Sequence, residues 1–281
     1  MTQEIQFTKA SGAGNDFVIV DNMSRTLCVD KSSLAQKLCS RNFGIGADGL
    51  LILEPSQVAD FTMEYYNADG SHGGMCGNGG RCVARYAFLH NLAPQNMKFE
   101  ALDFVYTAEV VAENVILTMK NSTNLKKDIA VLVGSDQMRG FFVNTGSPHL
   151  VIFVDDVSSV PVQEAGRKLR EDQRFAPDGT NVNFVQVTAS DAIRVRTYER
   201  GVEAETLACG TGSVASAITA NLFKGIELPV NVQVRSGEIL KVHASKEGMS
   251  ITSPKLEGSA HMLFKGNILF DSNSSQVVDI I

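Results

Sequence analysis

Apolar residues along this chain fall into short runs and alternating stretches, a pattern typical of β-strands. The stretches of this kind before residue 70 are Ile5–Thr8, Phe17–Asp21, Leu50–Leu53 and Phe61–Tyr66. Asp30 is a candidate N-cap for a helix that runs to about Arg41. Between residues 97 and 119 the pattern predicts short strands in antiparallel hairpins.

A glycine-rich turn that leads into an alanine-rich, helix-favouring segment occurs twice. The sequence Cys-Gly-Asn-Gly at residues 76–79 precedes Val83–Leu89, and Cys-Gly-Thr-Gly at 209–212 precedes Val214–Leu222. The start of a helix has several unpaired backbone N–H groups, which suit an anion and favour the thiolate form of a nearby cysteine. The two turns therefore predict two thiols that hold one carboxylate-bearing substrate between them.

The spacing of these turns indicates an internal duplication. Cys209 follows Cys76 by 133 residues, and the same offset places Gly46 on Gly179 and Tyr65 on Tyr198. We therefore predict an α+β (α/β) fold of two pseudo-symmetric domains, each a rolled mixed β-sheet around a central helix. The active site is expected in the cleft between them.

Domain boundaries follow from a polar stretch and from the chain's carboxyl-terminal residues. The polar stretch Asn121–Lys127 marks the junction, and the apolar run 267–270 is expected to return to the first domain's sheet. The prediction is an N-terminal domain of residues 1–124 plus 266–281 and a C-terminal domain of residues 125–265.

Composition excludes several classes of function. The 281 residues are 44% hydrophobic and 20% charged, enough apolar material to bury proper cores. A net charge of −6 without a basic run argues against nucleic-acid binding. The apolar runs fall short of the ~18 residues of a membrane helix, and residues 1–10 contain no secretory apolar segment, so we expect a cytoplasmic protein without membrane contact.

Five cysteines, an odd number, favour reduced thiols over a disulfide framework. No two of them have the short spacing of zinc ligands, so no metal site is predicted. Cys28 and Cys39 are expected to be buried small hydrophobes. Cys82, on the first of the two helices, is expected to serve in packing and not in catalysis.

Six ordered motifs give the chain a resemblance to the diaminopimelate epimerase family, from about residue 5 to the end. They are Ser-Gly-Ala-Gly-Asn-Asp-Phe at 11–17, Asn-Ala-Asp-Gly at 67–70, Met-Cys-Gly-Asn-Gly at 75–79, Gly-Ser-Pro-His at 146–149, Gly-Thr-Asn at 179–181, and Tyr-Glu-Arg-Gly at 198–201 through Ala-Cys-Gly-Thr-Gly at 208–212.

The resemblance implies an isomerase that needs no cofactor and interconverts LL- and meso-2,6-diaminopimelate, an amino-acid substrate of lysine and peptidoglycan precursor biosynthesis. It implies that Cys76 and Cys209 are the acid/base thiols and that His149 and Glu199 assist them. The implied substrate-binding residues are Asn15, Asn67, Gly77, Asn78, Asn181, Glu199, Arg200, Gly210 and Thr211. A homodimer is also implied, with Phe264 where relatives carry an aromatic residue near the interface.

The chain departs from the family pattern at three places. Ser147 stands where many members have asparagine, and Gly49 stands where some have glutamine. One extra residue lies within residues 202–204. The first two departures affect substrate contacts and leave the predicted reaction intact.

Epimerisation removes a proton from one face of the α-carbon and returns one to the other face, so two fixed thiols serve better than one mobile base. A free cysteine titrates near 8.5, so both protonation states are accessible at neutral pH. The weakly acidic α-hydrogen also requires stabilisation of an enolate-like carboxylate, which two helix N-termini would supply.

Three alternatives remain open at this stage. A proline or hydroxyproline racemase-like enzyme shares the two-thiol logic but usually has histidine at the position of Asn78. A broad-specificity amino-acid racemase is the second alternative. An inactive amino-acid-binding protein is the third, and the presence of both cysteines argues against it.

Overall fold

The computed structural model describes residues 2–280, about half of which form strands. Up to residue 118 the elements are β1 (Thr2–Gly12), β2 (Asn15–Asp21), α1 (Lys31–Cys39), β3 (Gly49–Glu54), β4 (Phe61–Asn67), α2 (Gly77–Leu89), β5 (Asn96–Ala101), β6 (Phe104–Val111) and β7 (Asn114–Thr118). The next are β8 (Thr123–Val133), β9 (Asp136–Asn144), β10 (Pro148–Phe153), α3 (Val162–Arg170), β11 (Asn181–Ala189), β12 (Ala192–Glu199), β13 (Ala204–Thr206), α4 (Gly210–Lys224), β14 (Val230–Gln233), β15 (Ile239–Glu247) and β16 (Ser250–Ser259). The last are β17 (His261–Asp271) and β18 (Gln276–Ile280).

The chain divides into two compact units. Thr118–Gly258 form the second unit, and residues 2–117 and 259–280 form the first. The predicted boundaries lie a few residues further along the chain. The polar stretch 121–127 runs into β8, which begins at Thr123. In the first unit β17 pairs antiparallel with β1, so the carboxyl-terminal residues complete that sheet as predicted.

The two units repeat the same order of strand pairings. In the first, β2 and β3 are parallel with α1 between them, β4 is antiparallel to β3, and α2 follows. β5 is then parallel to β4, and β6 and β7 continue as antiparallel hairpins. In the second unit β10, α3, β11, β12 and α4 repeat the first part, and β14, β15 and β16 repeat the second. The predicted duplication and mixed-sheet α+β class are confirmed.

Strand register defines which residues are equivalent. Phe17 pairs with Gly49 across β2 and β3, and His149 pairs with Asn181 across β10 and β11, so each partner in the second unit follows its counterpart by 132 residues. The offset of 133 derived from the cysteines is therefore one too many within these strands, because the repeats differ in length by one residue there. As a result Thr197, which pairs with Asn183 as Tyr65 pairs with Leu51, is the counterpart of Tyr65; the predicted Tyr198 is wrong.

One helix in each unit is enclosed by its sheet. α2 contacts β1, β2, β3, β4, β6 and β17, and α4 contacts β9, β10, β11, β12, β14 and β15. The glycine, alanine, serine and threonine residues of α4 give it a narrow cross-section, so nearly every residue of 210–221 is buried. These enclosed helices are the predicted central helices. Among residues 2–280, no helix is both long and apolar enough to cross a membrane.

The outer helices α1 and α3 cover the opposite faces of the sheets. Leu34 and Leu38 of α1 are fully buried in a cluster with Val18 and Leu50. The N-cap of α1 is Asp30, whose side chain accepts a 2.8 Å hydrogen bond from the Ser33 N–H, so the predicted helix start is confirmed. The helix ends at Cys39, slightly before the predicted end.

Three of the cysteines lie away from the starts of the enclosed helices. Cys39 and Cys82 are buried as predicted, and burial raises the pKa of Cys39 to about 12. The prediction for Cys28 is wrong, because this residue is exposed in the loop between β2 and α1. Its N–H donates a 3.0 Å hydrogen bond to the side-chain oxygen of Gln3.

The departure at Gly49 has a steric reason. A Cβ at Gly49 would lie 2.4 Å from Cε2 of Tyr65 and 2.6 Å from the carbonyl oxygen of Tyr66. A Cβ at Gly73 would lie 2.3 Å from the same ring. The Tyr65 ring also makes an edge contact with Phe17, with centroids 6.2 Å apart. This ring therefore occupies the space that a side chain at position 49 would need.

We expect Gly49→Ala to lower stability by about 1–3 kcal/mol, because the added methyl group meets a backbone carbonyl that cannot move aside cheaply. Thermal unfolding should show a decrease in Tm of several degrees. The matched control is Gly74→Ala, whose Cβ would have its nearest neighbour at 3.9 Å. Equal Tm values for the two variants would contradict this account of Gly49.

Candidate active site

Cys76 lies at the start of α2 and caps it. Its backbone is extended (φ −103°, ψ 116°), and its sulfur accepts a 3.4 Å hydrogen bond from the N–H of Gly79. The cysteine thus fills the position at which serine or aspartate usually caps a helix. Because the helix dipole is positive at this end, the thiolate form of Cys76 is favoured.

Asn78 and Asn15 meet beside this helix start. The Asn78 amide donates a 2.5 Å hydrogen bond to Oδ1 of Asn15, and the Asn15 amide donates a 2.9 Å bond to Oδ2 of Asp48. Asn78 is almost fully buried at the first turn of α2. Two of the predicted substrate-binding residues are therefore held in one defined orientation.

A cluster of charged side chains includes Asp48, which accepts the hydrogen bond from Asn15. The Asp16 carboxylate pairs with Lys9 at 2.7 Å and with Arg41 at 2.8 Å, and Arg41 also pairs with Asp48 at 2.8 Å. Burial alone would raise the pKa of Asp16, but the hydrogen bonds and charges of Arg41 and Lys9 hold it below its usual value. Sequence reasoning missed Lys9, Arg41 and Asp48 as supports, because they are far apart along the chain and belong to no recognised chemical pattern.

Arg81 is another residue that sequence reasoning did not assign. Its side chain is fully buried, and its guanidinium donates a 3.0 Å hydrogen bond to Oδ1 of Asn78 and a 3.2 Å bond to the Gly77 carbonyl. A buried positive charge is costly unless negative groups balance it. Its position in the motif that follows Cys76 was the available signal.

Asn67 ends β4 at the same edge of the sheet. It pairs with Gly49, which in turn pairs with Phe17, two residues after Asn15. Its amide donates a 2.9 Å hydrogen bond to the Ser71 hydroxyl across a tight turn. Asn67 therefore shares the strand-end row of the first unit but makes its own local contacts.

Cys209 occupies the equivalent place at the start of α4. It is the N-cap residue (φ −124°, ψ 112°) and is only 6% exposed. Its carbonyl accepts 2.9 Å bonds from the N–H and the hydroxyl of Ser213. Its sulfur lies 3.6 Å from the hydroxyl oxygen of Thr211, so Cys209 has a hydroxyl partner two residues away.

His149 lies behind Thr211 and is completely buried. Its Nε2 is 2.9 Å from the Thr211 hydroxyl oxygen, and its Nδ1 is 3.1 Å from the Asn183 amide nitrogen. Burial, together with the charge of Arg200, lowers the pKa of His149 to about 3. The imidazole is therefore neutral at physiological pH, and it reaches Cys209 through Thr211.

Asn181 organises the loops around it. Its amide nitrogen donates 2.9 Å hydrogen bonds to the Ser147 hydroxyl and to the Pro148 carbonyl, and its Oδ1 accepts a 2.9 Å bond from the Arg200 N–H. The side chain is 3% exposed. Both amide hydrogens of this predicted substrate-binding residue are used within the protein. Ser147 is an accepting partner here, which gives this departure a structural role.

Glu199 and Arg200 end β12. The Glu199 carboxylate accepts a 2.9 Å hydrogen bond from the Thr206 hydroxyl, and the Arg200 guanidinium donates a 3.2 Å bond to the Asp178 carbonyl. The segment with the extra residue contains Glu203 at φ 57°, and its carboxylate is held by Arg170 at 2.9 Å. This ion pair anchors the longer connection before β13.

The predicted residues thus form one cluster in each unit. In the first, Cys76, Gly77 and Asn78 begin α2 and Asn15 bonds to Asn78. In the second, Cys209, Gly210 and Thr211 begin α4 and His149 bonds to Thr211. Among residues 2–280, no three His, Cys, Asp or Glu side chains form a group that could hold a metal ion.

Sequence comparisons match this chain to one family along most of its length. The sequence model of the family described as diaminopimelate epimerase matches residues 7–126 and 141–257. Diaminopimelate epimerase of Aquifex aeolicus is 41% identical, with 94% of this chain and 98% of the relative aligned. The enzyme of that name from Chlorobaculum tepidum is 42% identical over 92% of this chain and 99% of its own length. The one from Archaeoglobus fulgidus is 40% identical over 93% and 95%.

Solved structures of similar fold are more distant in sequence. A hydroxyproline epimerase from Agrobacterium vitis has a TM-score of 0.72 at 17% identity, with 96% of this chain and 92% of that one covered. A phenazine biosynthesis protein of the PhzF family from Bacillus anthracis has a TM-score of 0.73 at 14% identity, covering 95% and 100%. These likenesses concern the fold. Because the family model and the relatives match along nearly the whole length, the chain belongs to the diaminopimelate epimerase family.

Proposed function

We propose that this protein interconverts LL- and meso-2,6-diaminopimelate without a cofactor, with Cys76 and Cys209 as the two proton-transfer groups. The observation that carries the proposal is that each unit has a cysteine at the N-cap of its enclosed helix. Membership of the family supports the choice of substrate.

The chemistry assigns one thiol to each face of the α-carbon. One sulfur begins as thiolate and takes the α-proton, while the other begins as thiol and returns a proton to the opposite face. The two roles exchange when the reaction runs in reverse. General acid–base catalysis by positioned groups contributes typically 10²–10⁴-fold to rate, so losing either sulfur is expected to be severe.

The helix starts supply the remaining stabilisation. The N–H groups at Gly77, Asn78, Gly210 and Thr211 begin α2 and α4, where the partial positive charge of a helix is concentrated. Negative charge that develops on the substrate carboxylate is stabilised most by dipoles already aimed at it. The buried Arg81 adds positive charge to the first of these sites.

Other residues are assigned to positioning and recognition. Asn15 and Asn67 bind substrate at the strand ends of the first unit, and Arg200 binds the distal carboxylate. Asn181 holds Ser147 and the Arg200 backbone in place, which supports a role in shaping the distal site. Glu199 and the neutral His149 tune the thiols by hydrogen bonding.

The neutral state of His149 separates its role from that of the sulfurs. A pKa of about 3 means that the imidazole carries no extra proton to donate at neutral pH. His149 therefore orients the Thr211 hydroxyl and does not exchange protons with substrate.

A homodimer and a cytoplasmic location remain predictions. Leu263 and Phe264 on β17 are each 53% exposed, and the Phe264 ring makes an edge contact with Phe7 at 6.1 Å. An exposed apolar pair of this kind is compatible with the dimer interface that the family resemblance implies.

Cys76→Ala and Cys209→Ala should each reduce kcat/KM for diaminopimelate by at least about 10³-fold, because each removes the proton-transfer group for one face. Turnover of LL-diaminopimelate in D₂O, followed at early times, should place deuterium mainly in the product. The matched control is Cys28→Ala, which removes an exposed thiol. Normal turnover by Cys76→Ala, or equal labelling of substrate and product, would contradict the two-thiol assignment.

Arg200→Met should raise KM for diaminopimelate by roughly 10–100-fold, because a hydrogen bond to a charged group contributes about 1.5–3 kcal/mol. Ser147→Asn should alter KM by no more than about tenfold and change kcat less, since one neutral hydrogen bond is at stake. Arg194→Met, on the exposed side of β12, is the control for loss of an arginine. Parent-like kinetics in Arg200→Met would move distal recognition elsewhere and favour a broad-specificity racemase.

Acid should destabilise the protein through His149. Between about pH 6.5 and pH 3 the unfolded state binds a proton at this residue that the folded state does not, so the free energy of unfolding falls as pH falls through this window. Urea unfolding at pH 7.5 and pH 5 should show a smaller loss for His149→Gln than for the parent, by roughly 1–2 kcal/mol. Between pH 7.5 and pH 8.5 the free energies of unfolding of the parent and of His149→Gln should change by the same amount. Equal losses of stability in the two proteins at pH 5 would contradict a buried, neutral His149.

A further inference from the structure

A continuous chain of polar side chains lies buried between β10, β11, β12 and the start of α4. The Thr197 hydroxyl donates a 3.0 Å hydrogen bond to Oδ1 of Asn183, and the Asn183 amide lies 3.1 Å from Nδ1 of His149. Beyond His149 the chain continues through Thr211 to the sulfur of Cys209. Asn183 and His149 are 0% exposed, so these groups depend on one another for hydrogen bonds.

The first unit shows that the fold does not require this polarity. At the positions of His149, Asn183 and Thr197 it has Phe17, Leu51 and Tyr65. Phe17 and Tyr65 form an edge-on aromatic contact there.

The equivalent glycines show how closely each strand side chain meets its helix. A Cβ on Gly79 would lie 3.2 Å from Cδ2 of Leu51, and a Cβ on Gly212 would lie 2.4 Å from Oδ1 of Asn183. The same backbone therefore accepts an apolar core in one unit and a polar chain in the other.

The donor and the acceptor of each hydrogen bond in this polar chain can be assigned by starting at Asn183. The Asn183 amide also donates to the Leu150 carbonyl at 3.2 Å, and a carbonyl can only accept. This contact orients the Asn183 amide and leaves its second N–H for Nδ1 of His149. Nδ1 must then carry the lone pair, so the ring proton is on Nε2.

The remaining steps follow from this tautomer. The Nε2–H of His149 donates to the Thr211 oxygen at 2.9 Å. The hydroxyl proton of Thr211 is then available for the Cys209 sulfur at 3.6 Å. A donated proton stabilises a thiolate more than a thiol.

We propose that Asn183 is a positioning residue that fixes His149 in the Nε2–H tautomer and thereby directs the Thr211 hydroxyl proton towards the sulfur of Cys209. The thiolate form of Cys209 thereby gains a hydroxyl donor. The inference rests on the proposed function, since it concerns one of the two proton-transfer sulfurs, but the tautomer and the reactivity of Cys209 are measurable without turnover.

The first measurement is the tautomer of His149 by long-range ¹H–¹⁵N NMR of histidine-labelled protein. The parent should show a single Nε2–H form. Asn183→Leu, which installs the residue of the equivalent position in the first unit, should lose that single form because no donor faces Nδ1. Thr197→Val, which removes a neighbouring bond and leaves both amide donors, should retain it. An Nδ1–H form in the parent would overturn the proposal.

The second measurement is the rate of alkylation of Cys209 by iodoacetamide at one fixed pH, read by peptide mass mapping. Asn183→Leu and Thr211→Val should each slow Cys209 by roughly tenfold, as expected for a lost hydrogen bond to a charged group. Cys76, in the other unit, is mapped in the same samples and should react at the parent rate, which separates the effect from general unfolding. An unchanged Cys209 rate in Asn183→Leu would overturn the link.

A double variant tests whether Asn183 acts through Thr211. If it does, Asn183→Leu combined with Thr211→Val should alkylate at the rate of Thr211→Val alone, because the second change removes a link already broken. Multiplicative slowing would show an independent effect and overturn the proposed path. Failure of the parent to epimerise diaminopimelate would overturn the proposed function instead and leave these measurements standing.

Discussion

The other elements of both units are arranged around the starts of the enclosed helices α2 and α4. The N–H groups in the first turn of a helix have no acceptor one turn earlier within the helix, and the residues of these two first turns are largely buried away from bulk water. A cysteine at each N-cap, followed by glycine, leaves the site small and receptive to negative charge. Each sheet encloses one of these helices, and its strand ends carry the side chains that surround the helix start.

Duplication supplies the same backbone twice, yet the two helix starts have different polar surroundings. In the first unit the polar contacts lie at the strand ends, where Asn78, Asn15 and Asp48 connect to a charged cluster. In the second they penetrate the core through His149 and Asn183. An epimerase needs its two thiols in unlike protonation states at any moment, and unlike surroundings provide a physical basis for that difference.

Buried polar and charged groups carry a desolvation cost that apolar residues would avoid. Lys9, Arg81, His149 and Asn183 are all 5% exposed or less. Each one makes defined hydrogen bonds to a residue at or beside a helix start or to its supports. The residues that bear this desolvation cost therefore lie near the proposed catalytic sulfurs. The outer helices α1 and α3, by contrast, bury mainly apolar side chains.

The sequence was enough to predict the duplication, the two cysteine turns, and the order of strands and helices up to about residue 119, because apolar periodicity and glycine-rich helix starts are local signals. It did not determine the register, since an offset taken from the cysteines missed a one-residue difference that strand pairing revealed at Thr197. Nor did it reveal that Cys28 is exposed, that Tyr65 fills the space beside Gly49, or that Asn183 contacts His149. Those facts depend on residues that are distant in sequence and meet across strands, so they become visible only in the folded chain.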